Sequence, residues 1–292
     1  MEKRIVIFDS NAVLYRSFFA LPELTTKEGE KIQAVYGFFR FCLKILKELK
    51  PHFLIFCFDF PAKTFRHEKL KEYKSTREKI PPDLKSQIEK TKKILLENSF
   101  FVLEKEGFEA DDLIASIVKS ETVKNLEKII VTKDRDLFQL IDEKTKVYFL
   151  GTKSKDSILF DKEKIEKEYG IEPLFFADFK SLMGDPSDNI KGVEKIGKKT
   201  AVHLIKKIGS LEEFFKNEDF WKLEEKERSI LFKNKDLILK NLSLVKLEPL
   251  LKIDLSLKES EINSTKIETF KNIFIKLGFK SLLKDLDSLH YP

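Results

Sequence analysis

Carboxylates recur in this chain where apolar runs end. Glu109, Asp111 and Asp112 stand between the apolar stretches 100–103 and 113–118. Acids at a helix start have a simple explanation, because they favour the positive end of the helix dipole. The same placement recurs elsewhere, however. Asp9 closes the run 4–8, Asp59 follows 53–58, and Asp134 and Asp136 follow 128–132. Asp185 and Asp188 fall together in the stretch 183–189. In an open α/β sheet the carboxyl ends of parallel strands share one edge, and ligands bind there. Carboxylates crowded on such an edge repel one another unless cations neutralise them. Hard divalent ions take oxygen ligands. The chemistry these residues point to is a divalent-metal site. It carries a geometric demand: in one continuous helix, positions 109 and 111 point about 200° apart. Glu109 therefore has to precede the helix if both are to face an ion.

The elements that must position these acids can be read from periodicity. Residues 1–60 read as strand, helix at about 35–49, then strand. Residues 100–160 alternate again, with a strand at 100–103, a helix after Ala110, a strand at 128–132, a helix from Leu137 and a strand at 146–150. The pattern predicts an α/β fold with a doubly wound, mainly parallel sheet. From about residue 161 the chain reads as helical, with candidates at 162–169, 173–182, 198–208, 211–216, 222–234, 236–241 and 267–277. The expected division is an α/β core over 1–178 and an all-helical region over 179–292. Residues 60–95 break the alternation. They are charged, show little apolar periodicity and contain Pro81-Pro82, so they read as a substrate-handling loop or arch.

Charge is unevenly spread over the 292 residues. The window 63–93 holds eleven Lys/Arg against five Asp/Glu, and 191–207 holds six Lys against one Glu, although the whole chain carries only +6. The remainder, with the acidic constellation, is net negative. Basic segments flanking an acidic centre suit a polyanionic substrate. No apolar run approaches a membrane span or a secretory leader, and Cys42 and Cys57 read as reduced core thiols, so a cytoplasmic protein is expected. The four histidines are scattered, which argues against a His-based zinc site. Gly192 and Gly197 bracket a tight turn whose second glycine opens a helix, with Lys195, Lys198, Lys199 and Thr200 alongside. An ordinary αα-hairpin is one reading. The basic content and the neighbouring Asp185 and Asp188 favour binding of a DNA backbone, with free N–H groups offered to phosphate. Tyr15 is equally a core or a base-stacking residue, and Trp221 reads as core.

Together these residues resemble the 5′-nuclease family: the 5′→3′ exonuclease domain of bacterial DNA polymerase I, phage 5′ nucleases and flap endonucleases. The motifs are Phe8-Asp9-Ser10-Asn11 with Tyr15-Arg16, Phe58-Asp59, Phe65-Arg66-His67, Tyr73-Lys74 with Arg77, and Glu109-Ala110-Asp111-Asp112. Thr132-Lys133-Asp134-Arg135-Asp136, Met183-Gly184-Asp185 through Asp188-Asn189, Gly192-Val193 through Gly197-Lys198-Lys199-Thr200-Ala201, and 277–283 follow in family order. The resemblance spans nearly the whole chain, and a free-standing nuclease is expected. Ser10, Lys133 and Lys191 depart from residues common in the family, and none removes a ligand.

The resemblance implies a structure-specific 5′→3′ exonuclease and flap endonuclease acting on branched or nicked DNA, as in RNA-primer removal and repair. Its metal carboxylates fall on Asp9, Asp59, Glu109, Asp111, Asp112, Asp134, Asp136, Asp185 and Asp188. They imply two Mg²⁺, with Mn²⁺ as substitute, about 4 Å apart. Asp59, Glu109, Asp111 and Asp112 are expected nearest the first ion, and Asp134, Asp136, Asp185 and Asp188 toward the second. Lys74, Arg77 and Asp111 are the expected catalytic residues, in and below a basic helical arch at about 60–95. Tyr15, Arg66 and Tyr73 are expected DNA contacts, Tyr73 by stacking. A helix-hairpin-helix at about 185–210 (Gly192, Lys195, Gly197, Lys198, Lys199, Thr200) would grip duplex DNA and hold K⁺ through carbonyls. A monomer working with a separately encoded polymerase is expected. Two other readings compete: a non-catalytic DNA-binding relative, and a phosphatase with Asp9 as nucleophile. The phosphatase chemistry wants a second acid where Asn11 stands.

Overall fold

The computed structural model describes residues 2–152, 156–217, 223–247, 249 and 252–289. The first strand, β1 (Arg4–Asp9), is the centre of a six-stranded sheet. β2 (Phe53–Cys57) and the two-residue β3 (Val102–Leu103) extend it on one side, and β4 (Glu127–Thr132), β5 (Thr145–Phe149) and β6 (Ile158–Phe160) on the other. All pairings are parallel except β5 with β6. The doubly wound, mainly parallel fold expected from the alternation is the one observed.

Side-chain alternation along β1 divides the core into two layers. Ile5 and Ile7 enter one buried cluster with Ile55, Ile130 and Val147, while Val6 and Phe8 enter another with Leu54, Phe56 and Val131. The second layer is covered by α1 (Ser10–Ala20), α2 (Gln33–Leu49) and α4 (Pro82–Glu97), which follows the five-residue α3 (Phe65–Lys69). The sequence reading has no helix directly after Asp9. One forms because the Asp9 carboxylate caps it, accepting from the Ala12 N–H at 3.0 Å. α5 (Ala110–Val118) covers the first layer.

Beyond the sheet come α6 (Lys162–Tyr169) and α7 (Phe176–Met183), then the small hairpin of β7 (Gly184–Asp185) and β8 (Ile190–Lys191). α8 (Lys198–Ile208), α9 (Leu211–Asn217), α10 (Glu225–Lys233) and α11 (Lys235–Val245) form the helical region. The short α12 (Leu257–Ser260) sets Leu257 against the first layer, while α13 (Ser264–Leu277) and α14 (Lys280–Asp287) return to the second, where Phe270 and Phe274 meet Phe39. No helix among the described residues is long and apolar enough to cross a membrane. Trp221 lies outside the described residues.

Three local expectations need correction. The strand at 100–103 shrinks to two residues at the sheet edge. The helix from Leu137 is a single 3-10 turn, Asp136–Leu140, whose Leu137, Phe138 and Leu140 fill the core. The basic arch at 60–95 is helical only at its ends. α4 lies on the core through Leu84, Ile88 and Leu95, so the arch proper is α3 and a series of turns ending near Arg77.

Candidate active site

β1 and β4 are the neighbours at which the strand order reverses, and their carboxyl ends carry Asp9 and Asp134. Such a switch point opens a crevice. Here it is a cavity of about 990 Å³ whose lining includes Asp9, Asp59, Glu109, Asp111, Asp134 and Asp185, with Tyr15, Lys74, Arg77, Lys133 and Lys180.

Asp9, Asp59, Asp111 and Asp134 form one group. Asp9 accepts from the Thr132 hydroxyl at 2.7 Å through the oxygen not used as helix cap. Asp59 accepts from the Ala110 N–H at 2.8 Å, and Asp134 accepts from the Asp136 N–H at 2.8 Å. Burial, followed by the charge of Asp59, raises the Asp9 carboxyl to about 7. Desolvation, then Asp134 and Asp9, raises Asp111 well above the carboxylate range. Desolvation in the recess also raises Asp59. Among the described residues no Lys or Arg forms an ion pair with any of these four. Four oxygen-rich, mutually repelling side chains in a recess fit a hard cation.

Asp136, Asp185 and Asp188 form the second group, each with an oxygen within 4.8 Å of the others. Burial, then Asp134, raises Asp136 to about 7, despite an ion pair with Lys180. Burial would also raise Asp185, but Lys180 at 2.5 Å and the Ser187 hydroxyl at 2.6 Å outweigh it and hold Asp185 below the usual range. Asp134 thus stands with the first group and touches the second, whereas the sequence reading had placed it wholly with the second.

Glu109 meets the geometric demand, because it is the extended N-cap of α5 and lies outside the helix. Its carboxylate is held by Lys74 at 2.5 Å, by Tyr73 at 3.1 Å and by Arg66 at 3.2 Å. Asp112 does not face the cavity. It is 0% exposed, and Arg66 grips both its oxygens at 2.7 and 2.8 Å. The expected ligand is instead half of a buried bidentate pair, and the expected DNA contact Arg66, 2% exposed, is the other half. Arg66 Nε also donates to the Leu244 carbonyl at 2.8 Å, so this α3 residue ties α11 to the start of α5.

Tyr73 is corrected in the same way. It is 4% exposed, and its hydroxyl lies 3.1 Å from both Glu109 and Asp188, so it has no free face for a base. Burial and those two carboxylates raise its pKa, which keeps the proton on the oxygen. Lys74 and Arg77 do line the cavity. Burial alone would lower the Lys74 ammonium, but Glu109 outweighs it and the pKa rises. Arg77 pairs with Asp188. Lys74 adopts a left-handed backbone (φ 55°), and its N–H donates to the Asp188 carbonyl at 3.2 Å, so the arch is docked on the 185–189 loop. Tyr15 faces the cavity beside Phe19.

Sequence reasoning missed Lys180, Asn241 and Asp178. Lys180 was detectable as the lone Lys in the apolar stretch that becomes α7. Asn241 is buried in α11 and donates to the carbonyls of Ser181 and Lys191 at 2.9 and 2.8 Å, fixing the base of the hairpin that carries Asp185. Asp178 accepts from the Leu211 N–H at 2.7 Å at the start of α9. Nothing in their local sequence marks the last two.

Gly192 and Gly197 do different work. A Cβ on Gly192 would lie 2.2 Å from the Met183 carbonyl oxygen, so this glycine permits a close backbone approach inside the protein. Gly197 has open space around it and begins α8 without a side-chain cap. Lys195, Lys198, Lys199 and Thr200 are exposed around that helix start. The Asp9-nucleophile reading lacks its second acid: Asn11 stands two residues on, and its side-chain oxygen accepts from the Asp59 N–H at 3.4 Å.

Comparison with known proteins follows this geometry. The 5′-3′ exonuclease N-terminal resolvase-like domain matches residues 4–170, and the 5′-3′ exonuclease C-terminal SAM fold matches 171–268. A 5′-3′ exonuclease of Aquifex aeolicus is 38% identical over 98% of this chain and 96% of its own length. DNA polymerase I of Bacillus subtilis is 36% identical over 98% of this chain, which spans 32% of that polymerase. Among solved structures, the T5 D15 protein co-crystallized with metal ions superposes with a TM-score of 0.67 at 20% identity, covering 97% of this chain and 98% of that one. At that identity the superposition speaks for the fold. The sequence matches speak for descent, and on them this chain belongs to the 5′-3′ exonuclease family.

Proposed function

We propose that this chain is a divalent-cation-dependent 5′ nuclease that hydrolyses phosphodiester bonds at 5′ flaps and nicks in branched DNA, as RNA-primer removal and repair require. The observation that carries the reading is the convergence of Asp9, Asp59, Asp111, Asp134 and Asp185 on one cavity with Lys74 and Arg77, with Asp136 and Asp188 clustered beside Asp185. Asp9, Asp59, Asp111 and Asp134 would hold one ion, and Asp136, Asp185 and Asp188 the other, with Mg²⁺ the expected ion and Mn²⁺ its substitute. When bound, such a pair activates a water and stabilises the leaving oxygen of an in-line displacement.

The protein's own groups prepare the reaction. Thr132 and the Ala12 N–H fix the Asp9 carboxylate, and Asp59 is fixed by the Ala110 N–H. Arg66 locks Asp112 and steadies Glu109, which holds Lys74 against the floor. Lys74 and Arg77 are the cations placed to exchange a carboxylate for the scissile phosphate and its developing charge. Lys195, Gly197, Lys198, Lys199 and Thr200, with the uncapped N–H groups of α8, suit a duplex phosphate backbone, and carbonyls of the same turn suit K⁺. The expected partner is DNA, bound by a monomer that cooperates with a DNA polymerase. Two related DNA-bound structures support that partner: the T5 flap endonuclease with DNA and metal ions, and the catalytic core of Rad2 with DNA substrate.

A 5′-flap duplex labelled at either end tests this, with Mg²⁺ or EDTA, in wild type and Asp111→Asn. The expected result is Mg²⁺-dependent cutting near the junction that the variant loses while still binding. Binding without cleavage, in Mg²⁺ and Mn²⁺ alike, would mark a non-catalytic relative.

A further inference from the structure

The two carboxylate groups differ in a way the ligand count does not reveal. Asp9, Asp59, Asp111 and Asp134 have no ion-pair partner among the described residues, whereas Asp136, Asp185 and Asp188 are already neutralised from within. Lys180 projects from α7, an element otherwise packed through Phe176, Ala177, Phe179 and Leu182. Its Nζ donates to Asp136 and lies 2.5 Å from Asp185 Oδ2, with only 14% of the side chain exposed. These are two of the three carboxylates whose oxygens fall within 4.8 Å of one another, and Arg77 takes the third, Asp188. Two cationic side chains therefore serve the three aspartates whose oxygens cluster.

Arg77 and Lys180 are not equivalent in this. Arg77 sits on the turn-rich arch and is 46% exposed, free to follow a substrate phosphate. Lys180 is rooted in a buried helix, and its ammonium is shared by two carboxylates that approach from different elements, the 3-10 turn after β4 and the β7–β8 hairpin. A compact ammonium on a flexible stem can swing aside where a forked guanidinium fixed on both carboxylates would resist.

We propose that Lys180 is a resident counter-ion of the distal carboxylates, which sets their affinity for a divalent ion and makes filling of the two sites sequential. This rests on the metal-dependent reading above and adds a specificity-determining residue to it. The Asp9 group, with no side-chain cation to displace, fills first. The distal group fills only as Lys180 yields Asp136 and Asp185, so its dissociation constant lies higher. The same ammonium holds α7, the 3-10 turn and the hairpin together before an ion arrives.

The full chain, stripped with EDTA and dialysed, is titrated with Mn²⁺ alone. Calorimetry and the spin resonance of bound Mn²⁺ follow wild type, Lys180→Met and Lys180→Arg. Wild type should bind two ions with constants at least tenfold apart. In Lys180→Met the weaker site should tighten about tenfold with the stronger unchanged, while melting temperature falls without ion and recovers with it. Lys180→Arg, which keeps the charge, should hold or widen the wild-type gap. Lys180→Gln gives the same reading as methionine if that variant does not fold. Two sites whose weaker constant stays the same or loosens on loss of the charge would overturn the proposal alone. Wild type that binds no Mn²⁺ at all would overturn the metal-dependent reading with it.

Discussion

At the scale of single residues, Arg66 separates what side-chain chemistry suggests from what position decides. In sequence it is one more cation in a basic stretch, and Asp112 is one more acid in a metal-like cluster. Only the fold pairs them, because α3 and the start of α5 are neighbours that no local pattern announces. Removing one member leaves a buried charge without compensation, which costs about 3–5 kcal/mol. Arg66→Met should therefore lower urea-denaturation stability by that order. Arg66→Met with Asp112→Leu should recover much of the loss, since apolar replacement of a buried pair is often neutral. A double variant no more stable than the single would point to the Leu244 bond as the main contribution. The aspartates that line the cavity were legible for the opposite reason: each ends a strand or opens a helix, so its place follows from the alternation.

At the scale of elements, the turn between the β7–β8 hairpin and α8 shows how one motif holds two kinds of glycine. The spacing of Gly192 and Gly197 was readable, but their division of labour was not, because it depends on the backbone of Met183 passing behind Gly192. Gly192→Ala should cost about 1–3 kcal/mol, since carbonyl and backbone have to move apart. Gly197→Ala, facing open space with ordinary backbone angles, should stay within about 0.5 kcal/mol of wild type. Thermal melts of the two variants make the comparison.

The α9 cap gives a pH test. Burial raises the Asp178 carboxyl from 3.8 to about 6. The folded protein therefore holds this proton more tightly than the unfolded chain. Stability associated with the neutral group is complete below about 4 and is lost as pH rises through about 6. Asp178→Asn keeps an acceptor for the Leu211 N–H without the charge. Its stability should match wild type near pH 4 and exceed it at pH 8, by up to about 3 kcal/mol. A constant difference across that range would show that the carboxylate is not the cause.

At the scale of the whole molecule, the sheet and its two layers were legible because hydrophobic alternation and parallel-strand length carry them. The arrangement of the last helices was not. α13 reads as an amphipathic helix with no stated destination, and α14 is too short and charged to stand out. Yet Phe270 and Phe274 complete the layer begun by Phe8 and Phe39, and the Ile262 N–H bonds the His52 carbonyl at 2.8 Å beside β2. Phe270→Ala should cost about 3–5 kcal/mol, as for other large core truncations. That is the loss expected of a central residue rather than of a tail.

The same closure has a consequence for the order of events when the chain folds. One face of the sheet is closed by residues far along the chain, so Phe39 meets Phe270 only after the long intervening stretch of polypeptide has been made. Contacts between distant parts of a chain form slowly. If the final helices dock after the folding barrier, Phe270→Ala should leave the refolding rate nearly unchanged and speed unfolding. Stopped-flow refolding would then find an early species with the β1–β4 centre assembled and one apolar face still open to the solvent.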